Sequence, residues 1–265
     1  MKLFVCWLLL TFTSLTFAQV EISTSLGAST YLKYEGIPLR VEITNNSGEV
    51  IRLGTEDTED LLILRLRTLE NRVVPRTKVP FFEIPWVIPP GETSVRTFDL
   101  MQLFMVTQAM SYRCLQDVKV VGENFQGAPL LFDVSNGVLE DSVKRRKNDR
   151  VFEMISIHRN GRDEIMMRVT NYNNTMVLAT YYLERYLKFY DPFIKMNSVG
   201  EVATLHYVSP QQVVLCKFQA DGIPVGRTYY QASPGVPIRL RDNGEAGFMV
   251  EGGVEMPSQP SEGNR

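Results

Sequence analysis

Two stretches of the C-terminal half align without a gap, and this internal repeat constrains the fold more than any other feature of the chain. Residues 151–183 laid over 199–231 pair Val151 with Val199, Glu153 with Glu201, His158 with His206, Val177 with Val225, Thr180 with Thr228, Tyr181 with Tyr229 and Tyr182 with Tyr230. Turn-forming residues coincide as well, Asn173-Asn174 falling on Asp221-Gly222. A period of about 45 residues marks one supersecondary unit used twice, each copy burying the apolar face of its neighbour. His158 and His206, the two histidines of the chain, occupy matching places in this alignment.

Each copy parses into four strands. The first runs over 154–158 or 202–207 and the second over 165–170 or 213–218. Between them lies Asn160-Gly161, the favoured two-residue hairpin signal, or Ser209-Pro210. A third strand ends in Thr-Tyr-Tyr. Pro192 or Pro237 then precedes a short fourth strand, and Phe248-Met249-Val250 opens a third copy that stops at Gly252-Gly253. Four strands have the size of a propeller blade, but a propeller needs at least about four blades. Two copies are therefore expected to pack face to face or to form one curled sheet. Leu183 to Tyr190, which looks like an insertion in the first copy, is expected as a short helix.

Residues 19–135 read as about seven short strands. Leu39, Val41 and Ile43 alternate with Arg40, Glu42 and Thr44, and Leu62, Leu64 and Leu66 alternate with Ile63, Arg65 and Arg67. Pro75 to Gly91 is rich in proline, which lacks the ladder N–H, so it reads as a loop or an edge. Asp99 caps one or two helical turns. Short strands spaced by turns in this way make a β-sandwich. The order EITNNSGEVIRL, IPPGETSVRTFDL, AMSYRC resembles the immunoglobulin-like sandwiches of bacterial secreted and proteinase-inhibitor-like proteins. Tyr112, two residues before Cys114, sits where such folds place a tyrosine corner. No cysteine lies near Val41 and Trp86 falls in the proline-rich loop, so this sequence departs from the antibody pattern. The expected fold is all-β: an immunoglobulin-like sandwich at 19–135, a charged linker at 136–150, a duplicated four-strand β-meander domain at 151–253 and a disordered tail at 254–265.

Residues 1–18 read as a signal peptide. Lys2 precedes the apolar run Leu3 to Phe12, and Thr16-Phe17-Ala18 offers small residues before Gln19. The run is too short for a spanning helix, which needs about 20 apolar residues. The expectation is a secreted or periplasmic protein with no membrane span. Without Lys2 the chain carries 27 basic and 30 acidic side chains, a balance with no pull toward nucleic acid. The basic run Lys144-Arg145-Arg146-Lys147 is flanked by acidic residues and reads as a solvated connection. Cys114 and Cys216 remain after the signal. They could form a disulfide if their Cα atoms lie within about 7 Å, the alternative being two buried thiols.

Catalytic motifs are missing from the sequence: it holds no G-x-S-x-G, P-loop, G-x-G-x-x-G, H-x-H or H-E-x-x-H. His158 and His206 would form part of a metal site only if they converge, because such sites want three or four ligands. The expectation is no cofactor and no metal. Exposed aromatics suit sugar rings or peptides, which makes Phe82 and Trp86 of the proline-rich loop, and Tyr182 and Tyr230 of the Thr-Tyr-Tyr strands, the candidate binding residues. The functional expectation is a secreted, non-enzymatic binding or envelope-associated interaction module with a protein or glycan partner. Alternatives are a carboxylate-dependent extracellular glycan hydrolase, with Asp99, Asp117, Asp133 and Asp191 as available acids, and, from the resemblance, a proteinase inhibitor.

Overall fold

The computed structural model describes residues 20–55, 60–120, 123–145, 149–244 and 247–257, the side chain of Arg145 excepted. The signal-peptide expectation at 1–18, Arg146 and Lys147 of the basic run, and the tail from 258 lie outside the described residues. The fold is all-β, with a single four-residue helix among the described residues. No helix among them is long and apolar enough to cross a membrane. The described residues form two compact units: those within 20–27, 36–106 and 111–132 make one, and those within 28–35, 107–110 and 133–257 the other.

The first unit is a sandwich of short antiparallel strands. Strand β3 (Pro38–Asn45) pairs with β1 (Val20–Leu26) on one side and β7 (Thr93–Asp99) on the other. Its alternation places Leu39, Val41 and Ile43 in the core. Strand β5 (Leu61–Thr68) pairs with β8 (Ser111–Val120), which continues into β9 (Glu123–Gln126). Leu64, Leu66, Cys114 and Val118 are buried on this ladder. Helix α1 (Leu100–Leu103) starts at Asp99, whose Oδ1 accepts from the N–H of Met101 and of Ile37. Tyr112 stacks on Phe132 of β10 (Leu130–Ser135) at 5.6 Å between centroids.

Pro75 to Gly91 does not project. Strand β6 (Trp86–Ile88) pairs with β4 (Ile51–Leu53). The Trp86 ring is only 3% exposed, and its Nε1 donates to Ser94 Oγ at 2.8 Å. Phe81, Phe82 and Trp86 gather round Phe98, with centroids 5.0, 5.8 and 6.3 Å from it. Arg96 spreads over Phe82 and Trp86. Aromatic area of this size gains more by closing a sandwich edge than by facing water.

The second unit is a stack of sheets. Sheet A holds β11 (Val138–Arg145), β12 (Arg150–Arg159), β13 (Arg162–Asn171) and β14 (Val177–Arg185) in that order. Sheet B holds β15 (Phe193–Met196), β16 (Val202–Ser209), β17 (Gln212–Phe218) and β18 (Pro224–Ala232), with β21 (Gly253–Glu255) added outside β18. Strands β19 (Arg239–Asp242) and β20 (Phe248–Glu251) form a third, two-stranded sheet. Residues 138–145, expected as a linker, are therefore a strand: they pair with β12 from Val138↔Ser156 to Arg145↔Arg150. The charged side chains of an edge strand need no burial, so a charge-rich segment can fill that place. Residues 254 and 255, expected in the tail, belong to β21, and the N–H of Met256 donates to Tyr229 O at 2.8 Å.

The expected fourth strand of each copy opens the next sheet. Strand β15 pairs with β16, Phe193 opposite Leu205, and β19 pairs with β20. Within a sheet the links are tight turns such as Asn160-Gly161. The 186–192 and 233–238 connections are longer, contain proline, and step the chain across to a new sheet. The helix expected over 183–190 is instead the end of β14 followed by the start of this step.

The sheets stack front on back. The front of A (Phe152, Met154, Ile165, Met167, Leu183) packs on the back of B (Val202, Val214, Cys216, Phe218). The front of B (Ala203, Leu205, Val213, Leu215) packs on Ile238, Leu240 and Phe248. The back of A (Ile155, Ile157, Met166) is covered by Leu32 of β2 (Thr30–Leu32). Gly137 lets that cover close: at φ +69° its Cβ position lies 2.5 Å from Ile155 Cγ2 and 2.8 Å from Leu32 Cδ1, which leaves no room for a side chain. Beside it, Arg159 bridges Glu35 (2.6 Å) and Glu164, and Arg162 joins Glu164 at 2.8 Å.

Candidate functional site

The ladders decide where the histidines point. Counting from the hairpin turn of sheet A, the rungs are Arg159↔Arg162, His158↔Asp163 and Ile157↔Glu164. In sheet B they are Ser209↔Gln212, Tyr207↔Val213 and His206↔Val214, because Val208 bulges out of the ladder. The bulge shifts every following residue by one place. His158 therefore corresponds to Tyr207, and His206 to Ile157. The matching positions read from the ungapped alignment are not matching places in the fold.

Their environments differ accordingly. His158 has a side chain 67% exposed, with Nδ1 3.0 Å from Asp163 Oδ1. His206 is 1% exposed and lies edge-on to Tyr186 at 6.5 Å. Neither of its ring nitrogens has a hydrogen-bond partner among the described residues. Burial, and then the Arg227 cation, push its pKa down to about 3, so the ring is neutral. The described residues contain no group of three His, Cys, Asp or Glu side chains placed to hold a metal ion.

The other sequence candidates also have structural partners. Tyr182 packs against Ile155, Ile157 and Met166, and its hydroxyl donates to Glu184 Oε1 at 3.3 Å. Tyr230 packs against the core on the front of B. Tyr181 and Tyr229 pack into the core between A and B, and Tyr229 donates to Glu184 at 3.0 Å. One exposed tyrosine per Thr-Tyr-Tyr was expected from strand alternation. The stack covers both faces of sheets A and B, so all four are half-buried. Trp86 and Phe82 belong to the aromatic cluster of the first unit. Cys114 and Cys216 are free, buried thiols, each in the core of a different unit, and burial raises both to about 12. Neither is disulfide-bonded. Asp99 caps α1, and Asp117 pairs with Arg65.

A groove of about 450 Å³ lies open at one end of the second unit. Three connections build it: the 186–192 step brings Tyr190, the β16–β17 turn brings Pro210 and Gln211, and residues 232–237 form the opposite wall. Tyr207, at the second rung of its ladder, stacks on Tyr190 with centroids 4.1 Å apart and planes 23° from parallel. The wall is stiff. Ser233-Pro234-Gly235-Val236 is a turn closed by Val236 N–H to Ser233 O at 3.1 Å, with Gly235 at φ +73° as a type II turn requires. Behind it the chain passes Gly252, whose Cβ position lies 2.4 Å from Pro237 O.

No charged side chain lines the groove, so it suits an uncharged ligand. Tyr190 is 42% exposed and its neighbour Phe189 93%, which leaves an aromatic surface uncovered beside the groove. Burial, and then the Tyr190 phenol, raise the Tyr207 pKa, so the Tyr207 ring acts as a neutral phenol. Tyr190 belonged to a recognisable aromatic run in the sequence, but Tyr207 and the 232–237 wall carried no comparable signal. Only the bulge at Val208 and the stacking of the sheets bring them together. No family model matches the chain, and no curated protein matches it.

Proposed function

We propose that this protein is an exported, non-catalytic binding module and that the groove beside Tyr190 and Tyr207 is its ligand site. The observation that carries this reading is the uncharged groove of about 450 Å³ with a stacked tyrosine pair on one side and a proline-stiffened wall on the other. Its volume lies in the range of small-ligand and peptide sites, and its walls are held by the fold before any ligand arrives. Export rests on the sequence of residues 1–18, and the ligand is a neutral protein segment or glycan.

The test is a panel of uncharged peptides and oligosaccharides followed by amide chemical shifts. Binding should move the signals of Tyr207, Gln211 and residues 232–237 and should weaken in Tyr190→Ala. Binding that maps elsewhere would refute the site. Turnover of a glycan in the same panel, or slowed cleavage by secreted proteases, would favour the hydrolase or the inhibitor instead.

A further inference from the structure

We infer that the groove recognises a proline-rich polypeptide segment held in the extended polyproline II form; this rests on the groove being the ligand site. Hydrogen-bonding capacity carries the inference. Three of the lining residues, Pro210, Pro234 and Pro237, have no backbone N–H. The N–H groups of Tyr190, Ala232, Ser233 and Val236 are engaged within the chain, by Leu187 O, Gln211 O, Gly252 O and Ser233 O. Gln211 Oε1 accepts from Gln231 Nε2 at 3.4 Å, which turns the Gln211 amide so that its NH₂ is the end left for a ligand.

The polar side-chain groups on the lining residues are two phenol hydroxyls and the Ser233 hydroxyl, which donate or accept, and the Gln211 NH₂, which only donates. A ligand that offers acceptors and carries no charge can satisfy all four. Proline-rich chain meets both conditions: it has carbonyls without matching N–H groups, and its polyproline II backbone leaves those carbonyls unbonded and pointing outward. Its rings pack flat against aromatic faces, the mode by which aromatic-lined grooves read such segments. Both partners are stiff in advance, so little conformational entropy is lost on binding.

The experiment titrates the full chain, observed by amide chemical shifts, with a polyproline peptide, a glycine-serine peptide of equal length and a neutral β-linked hexasaccharide. The expected result is saturable shifts at Tyr207, Gln211 and residues 232–237 with polyproline alone. Tyr190→Ala and Gln211→Ala should each weaken that binding, the former by at least about tenfold. The urea midpoint of each variant reports whether it folds, and the two positions serve as independent checks. Groove shifts with the hexasaccharide but not with polyproline would overturn the peptide assignment and keep the groove as a binding site. Silence of the groove with every probe would overturn both. Polyproline shifts confined to other residues would overturn the assignment as well.

Discussion

His206 makes the stability of the second unit depend on pH in a way that can be isolated. Its ring is buried between sheets A and B against Tyr186, with Arg227 the nearby charge, and is held neutral by a pKa near 3 against an ordinary value of 6.5. The folded-state pKa is depressed, and the group is a base. Above about pH 6.5 neither the folded nor the unfolded chain binds the proton, so the full stability is present. As pH falls below that value the unfolded chain takes up a proton that the folded chain refuses. Stability is then lost by about 1.4 kcal/mol per pH unit until the folded-state value is reached. At about pH 4.5 the loss from this one group is about 3 kcal/mol. Carboxylates titrate over the same range, so the measurement is a difference. Urea unfolding of the wild type and of His206→Leu would be compared from about pH 7.5 to about pH 4.5. Leucine fills a similar volume and leaves no unpaired ring nitrogen, so the variant should match or exceed the wild type at neutral pH. Its advantage should then widen by about 3 kcal/mol on acidification. A difference that stays flat with pH would mean that the ring is protonated in the folded chain or gains a polar partner, and would refute the reasoning.

Two further outcomes follow from burial and pairing. Arg159→Ala should cost about 2–3 kcal/mol, because it leaves the half-buried Glu35 without its cation and the buried Glu164 with Arg162 alone; a loss under about 1 kcal/mol in urea unfolding would show the network to be solvated. In a Trp7→Phe background, the emission of Trp86 should be blue-shifted and resist iodide quenching, and Trp86→Ala should cost about 3–5 kcal/mol, whereas red-shifted, quenchable emission would return this ring to a projecting loop.

Much of the architecture is written in local pattern. The alternation of Leu39, Val41 and Ile43, the Asn160-Gly161 turn and the Asp99 cap each specify a local structure that the fold keeps. The repeat is equally legible as a pair of meanders. Its phase is not, because a strand's hydrogen-bonding neighbour depends on whether the preceding link turns back or crosses over. The prolines at 192 and 237 are a signal for the crossing. The pairing of His158 with His206 misleads for a related reason. A single bulged residue at Val208 leaves the sequence alignment intact and, counted from the hairpin turn, reverses the face presented by Tyr207, His206 and the residues before them. Trp86 defeats local reading in another way: proline content identifies an edge, but only the position of Phe98 and Ser94 decides that the edge folds inward.

The position of the groove follows from the stacking itself. Sheets A and B of the second unit each have apolar packing on both faces, so most of their strand surface is spent on packing. Side chains free to meet a ligand are left to the connections. The longest of these are the two steps between sheets, and front-on-back stacking brings both to the same end of the unit, with the β16–β17 turn between them. The groove is the gap between successive steps. Its walls then inherit the composition that stepping requires, namely proline and glycine, which explains why the site is stiff, uncharged and poor in backbone donors. A third complete copy of the repeat would repeat the step and extend the groove. The chain instead turns back at Gly252, whose close approach to Pro237 leaves no room for a side chain, and lays β21 along sheet B. A Gly252→Ala substitution therefore probes stack and groove together. With φ at +80° and a Cβ contact of 2.4 Å, the new methyl must move the 232–237 wall, so ligand binding should weaken more than the urea midpoint falls. Equal loss of both would place the wall's role in folding alone.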